Sequence, residues 1–108
     1  MTLRPVEFHT LLALAAEERH GYAILQEVAA QTDGDIQLEP GTLYRALHRM
    51  LKAGWVAESN RRPASDMEDE RRKYYRLTPL GRRIATAEAS RLSRLVTIAR
   101  AHRLLSRA

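Results

Sequence analysis

Thr42, Arg45, His48, Arg49 and Lys52 recur at short intervals through the stretch PGTLYRALHRMLKAGW, from Pro40 to Trp55. On a helix turning 100° per residue they fall together, between about 140° and 260° from Leu43, whereas Leu43, Leu47, Met50 and Leu51 gather within about 50° of a line near 30°. One side is apolar; the other holds Arg45, Arg49 and Lys52 and no carboxylate. A face that is merely solvated mixes charge signs. A face of one sign suits an anionic polymer: guanidinium groups bond guanine through two donors, and hydroxyls bond phosphates or base edges. Double-stranded DNA is the partner this chemistry favours. Tyr44 lies at the boundary near 100°. Its ring can be half buried, and its hydroxyl then either reaches a phosphate or bonds the protein's own backbone.

A second basic group follows. Arg61 and Arg62 stand at one end of NRRPASDMEDERR, and Arg71, Arg72 and Lys73 at or just past the other, with Asp66, Glu68, Asp69 and Glu70 between. Arg71, Arg72 and Lys73 are expected to grip the nucleic-acid backbone or probe a minor groove. The acidic centre argues against the whole segment lying on phosphates, and a self-compensating charge cluster is the competing reading of this loop.

The chain has 18 Lys and Arg against 13 Asp and Glu, a formal charge of +5, so its overall field also favours anions. The absence of Cys removes disulfides, thiolate zinc sites and thiol catalysis together. His9, His20, His48 and His102 lack the close spacing of a metal site. Gly21 has no companions for a phosphate-binding loop, and the serines have no paired base. No metal, no cofactor and no enzymatic activity are expected. No apolar run approaches the roughly 20 residues that span a bilayer, and no secretory pattern opens the chain, so a cytoplasmic protein is expected.

The elements that must carry these residues follow from periodicity. Phe8, Leu11, Leu12 and Ala15 predict a helix from Pro5 to Glu17. Tyr22, Ile24, Leu25, Val28 and Ala29 predict another from Gly21 to Thr32, closed near Gly34. A short strand is expected at IQLE, and the basic helix then runs from Pro40 to Gly54. WVAES and KYYRL read as two antiparallel strands, a wing around the charged loop. Thr78 and Pro79 open a helix reaching about Leu105. The fold class is mostly α with a small β-hairpin, a winged helix-turn-helix over residues 1–78 followed by a long C-terminal helix over 79–108. In such a fold the third helix enters the major groove.

HGYAILQEV, PGTLYRALHRMLKAGWV and RRKYYRLTPLGRR, in this order and spacing, resemble the PadR family of bacterial transcriptional regulators over about residues 5 to 90. The resemblance implies a homodimer on a near-palindromic operator, commonly a repressor, with the wing assisting and the last helix dimerising. The family's DNA-facing helix corresponds to Gly41–Leu51, its buried turn to His20–Tyr22 and its second wing strand to Lys73–Leu77. About 30 residues follow Leu77, which implies the short type with one dimerisation helix. Members that stack flat drugs use a tryptophan of that helix, but the sole Trp here is Trp55, placed to fill the core under the wing. A small-molecule effector between subunits is compatible with the pattern, and none can be named from it.

The last helix argues for dimerisation independently. Ile84, Leu92, Leu95, Val96, Ile98, Ala99 and Leu105 cover more than a narrow seam, enough for the body of the domain and for a partner chain. The alternative function is a winged-helix protein-interaction module whose basic face meets an acidic protein.

Overall fold

The computed structural model describes residues 3–59 and 73–106. Its elements are α1 (Pro5–Ala16), β1 (Arg19–His20), α2 (Gly21–Gln31), α3 (Pro40–Ala53), β2 (Val56–Glu58), β3 (Tyr74–Leu77) and α4 (Pro79–Ala101). Helices α1 to α3 enclose a core of Leu11, Ile24, Val28, Leu43, Leu47, Met50 and Val56, each essentially inaccessible to solvent. Burying side chains of this size stabilises by about 1.5–3 kcal/mol apiece relative to exposure. The three strands form one antiparallel sheet in the order β1-β3-β2, with Arg19 opposite Tyr75 and Val56 opposite Leu77.

The sheet departs from the expected element order. The short strand before α3 is not formed: residues 36–39 are outside any strand, and Ile36 and Leu38 pack against the core instead. The extra strand lies at Arg19–His20, where the sequence showed only a break between helices, because the edge of β3 offers partners there. Buried positions of α1 are Glu7, Thr10, Leu11, Ala13 and Leu14, so its inward face is turned from the expected Phe8, Leu11, Leu12 and Ala15, and Leu12 is exposed. Thr10 is tolerated inside because its hydroxyl donates to the Val6 carbonyl at 2.8 Å.

Helix ends are closed by specific groups. Arg19 donates from Nε to the Ala13 carbonyl at 2.9 Å, satisfying a C-terminal acceptor of α1, and its guanidinium lies 3.6 Å from both Glu17 and Glu27. His20 caps α2: its Nδ1 accepts from the Ala23 amide at 3.2 Å, and its ring stands edge-on to Tyr74. Gly54 ends α3 at φ 82°, a left-handed conformation that costs other residues energy.

Thr78 joins the wing to α4. Its hydroxyl accepts from the Gly81 amide at 3.0 Å and donates to the Gly54 carbonyl at 2.6 Å. This knot draws the first turn of α4 so close to Trp55 that a Cβ on Gly81 would collide with the Trp55 carbonyl. Helix α4 ends at Ala101, short of the expected Leu105, and is about 35 Å long at 1.5 Å per residue. Arg103 turns left-handed at φ 63° and the Leu104 amide bonds back to Ala99. No glycine or proline marks that stop in the sequence. Within α4, Arg91 clasps the buried Glu88 carboxylate through two hydrogen bonds, at 2.8 and 2.7 Å. These bonds hold the Glu88 carboxyl below its ordinary range, against the opposing effect of burial.

Gly81→Ala should therefore destabilise the fold by about 1–3 kcal/mol, since backbone must shift to admit the methyl group, although alanine is the better helix former. Urea unfolding measures it, and a neutral or stabilising outcome would contradict the close approach. Glu88 has a depressed folded pKa, so its contribution is present above the ordinary value of 4.5 and is lost as pH falls through the lower folded value. Glu88→Gln should accordingly flatten the acid limb of the stability profile below the ordinary value of 4.5, as read by melting temperature.

Candidate nucleic-acid interface

Helix α3 presents the basic face because its other face is held in the core. Leu43, Ala46, Leu47 and Met50 are buried, and Leu51 is only partly so. Inclusion of Ala46 turns the buried stripe about 40° from the line expected for Leu43, Leu47, Met50 and Leu51. Tyr44, Arg45, His48 and Lys52 consequently point outward and are exposed, while Thr42 and Arg49 lie at the boundary. Gly41, Tyr44, Arg45, His48 and Arg49 line one shallow, open depression on this surface.

Each of these side chains has an identifiable support. The ring of Tyr44 lies over Gly21 at the start of α2, so closely that a Cβ there would meet the Tyr44 hydroxyl. The phenol of neighbouring Tyr75 is pushed up by burial, then by Tyr44 and Glu58, and so stays neutral. Arg45 donates from Nη2 to the Thr42 hydroxyl, 3.4 Å away, a turn earlier on the same helix. This folds the guanidinium back along the first turn of α3.

Arg49 differs from its neighbours. Its Nε lies 3.5 Å from Oε2 of Glu7, which α1 contributes from its first turn, and the Glu7 side chain is only 11% exposed. The two groups attract as charges but are misaligned for a hydrogen bond, and Nε is buried without one. The Arg49 side chain as a whole is 41% exposed, so its accessible surface lies on atoms other than Nε. Glu7 also accepts from the Arg4 amide at 2.9 Å through Oε1, capping its own helix. The carboxylate-free character of α3 thus holds for the helix alone, because the fold sets a carboxylate beside it.

On the wing, Lys73 is exposed and its Nζ lies 3.6 Å from the Glu58 carboxylate across the β2–β3 pair. Exposed pairs of this kind contribute little and open readily. Arg71 and Arg72 lie outside the described residues. Arg76, which the sequence reading did not single out, is exposed on β3 and alternates with buried Tyr75; the period of two was the available signal. Arg82 and Arg83 are likewise exposed in the first turn of α4, and Arg82 reaches the Ala15 carbonyl at 3.5 Å.

The residues expected at a subunit contact divide in two. Ile84 packs against the protein's own core. Leu92 and Ala99 are half-buried, and every residue from Ser93 to Ile98 is exposed, including Leu95, Val96 and Ile98. Leu92, Leu95, Val96 and Ala99 share one stripe by their three- and four-residue spacing. Leu105 is exposed beyond the end of the helix.

No helix among the described residues is long and apolar enough to cross a membrane. The model of the transcriptional regulator PadR-like family matches residues 10–87. An uncharacterized protein of Lysinibacillus sphaericus is 36% identical over 72 residues, 67% of this chain and 63% of that protein, so the match leaves more than a third of that relative uncovered. Transcriptional regulator Rv3488 of Mycobacterium tuberculosis is 32% identical over 90 residues, 83% of this chain and 78% of that one. Among solved structures, that of Bacillus subtilis PadR in complex with operator DNA superposes with a TM-score of 0.65 at 19% identity, covering 78% of this chain and 46% of that one, and shares the fold.

Proposed function

Because the chain belongs to the PadR-like family of transcriptional regulators, a family not of enzymes, we infer that it binds a near-palindromic operator as a homodimer and acts as a repressor. The observation that carries the reading is the exposed face of α3, where Tyr44, Arg45, His48 and Lys52 surround one open depression or lie beside it, backed by a stripe rigidly held in the core. A helix so mounted enters a major groove with Arg45 and Thr42 near phosphates and with Arg49 and His48 toward base edges. Lys73 releases Glu58 for a phosphate when the wing meets the duplex. Arg71 and Arg72 extend that contact.

The dimer reading rests on the far half of α4. Its exposed Leu95, Val96 and Ile98 form an apolar surface that a second copy covers, with Leu92 and Ala99 at its edge. A twofold axis there sets two α3 helices about one turn of B-DNA apart, about 34 Å.

Selection of duplexes from fragmented genomic DNA at near-physiological salt should enrich a near-palindrome with half-sites about 10 base pairs apart. Uniform recovery of all fragments would favour a protein-interaction module instead. Leu95→Glu should convert the dimer to monomer in sedimentation equilibrium and weaken operator binding without unfolding the chain. A dimer that persists in this variant would place the subunit contact elsewhere.

A further inference from the structure

Glu7 sets a carboxylate beside the basic face, 3.5 Å from Arg49 Nε, and on charge alone it would oppose binding of a polyanion. Its placement suggests a different task. One oxygen, Oε1, is committed to the Arg4 amide and anchors the side chain to the start of α1. The other, Oε2, faces Nε of Arg49 at 3.5 Å. Nε is buried, while the rest of Arg49 reaches the depression shared with Tyr44 and His48. An arginine whose buried Nε faces an anchored carboxylate is biased by charge toward one placement, and the guanidinium still has its terminal donors for a ligand. A ligand then bonds a guanidinium already oriented, rather than ordering a flexible one.

We propose that Glu7 is a positioning residue for sequence reading: from α1 it orients Arg49 of α3, so that Arg49 discriminates between bases rather than merely attracting phosphate. The inference rests on the reading of α3 as the DNA-contacting helix. It assigns to the first helix, which itself presents no residue to the depression, a share in specificity. Because α1 also packs on α4, the same residue ties the orientation of Arg49 to the element proposed to set the subunit arrangement.

Glu7→Gln separates this role from capping, since the glutamine carbonyl still accepts from the Arg4 amide while the negative charge is removed. The parent, Glu7→Gln, Arg49→Ala and the double variant are compared by fluorescence anisotropy on the selected duplex, its single-base variants and a random duplex. Glu7→Gln should lose about tenfold in discrimination between the selected duplex and variants at the Arg49 position, with binding to random duplex unchanged or tighter. In the Arg49→Ala background the same substitution should leave discrimination untouched. A Glu7→Gln variant that gains equally on every duplex makes Glu7 a simple repulsive charge and overturns the proposal, as does an equal loss with Arg49 absent. A measurement on the unaltered protein needs no variant: the Arg49 Nε–H should be rigid by heteronuclear NOE before DNA is added, and a mobile one overturns the proposal. A parent that does not prefer the selected duplex over random sequence overturns the DNA reading itself, and this inference with it.

Discussion

Burial of Leu43, Ala46, Leu47 and Met50 is the interaction on which the remaining structure depends. These four residues fasten α3 to α1, α2 and β2, and the opposite face of the same helix acquires a fixed direction as a consequence. A helix has no orientation of its own; one stripe must be removed from water before the other can be aimed. Close contact there is completed by Gly21, whose missing side chain leaves room for the Tyr44 ring at the start of α2. The basic surface therefore has a fixed direction because the apolar surface behind it is buried.

The same economy recurs at the junction of wing and long helix. Thr78, Gly81 and the carbonyls of Gly54 and Trp55 form a compact knot in which the end of α3, the sheet and the first turn of α4 are joined within a few residues. The Thr78 hydroxyl alone bonds both the first turn of α4, at the Gly81 amide, and the C-terminal end of α3, at the Gly54 carbonyl. The knot therefore lies between the helix proposed to carry the subunit contact and the helix proposed to contact DNA.

Charge is distributed by the tertiary structure in ways composition conceals. Glu58 and Glu7 each sit beside a cation of the basic surface, the first across a strand pair and the second across two helices. Exposed Lys73 and Glu58 gain little from one another. Glu7 is largely sheltered and anchored by a backbone amide, so it persists as part of the framework. The two ion pairs thus differ in kind, one exposed and weak, the other sheltered and anchored.

The sequence by itself determined the four helices, the wing, the basic face of α3 and the family, because each rests on local signals: apolar spacing at 3.6 residues, Pro at helix starts, Gly54 at a helix end, and three contiguous motifs. Thr78 as the start of α4 was legible for the same reason. The third strand, the exact rotation of α3, the early end of α4 and the partnership of Glu7 with Arg49 were not. All but the end of α4 depend on a contact between segments far apart in the chain: Arg19 with Tyr75 across the sheet, Ala46 against the core, and Glu7 beside Arg49. The stop at Arg103 lacks even a local glycine to announce it. Periodicity records which face of an element avoids water, and only packing decides which neighbour that face, or its boundary, will meet.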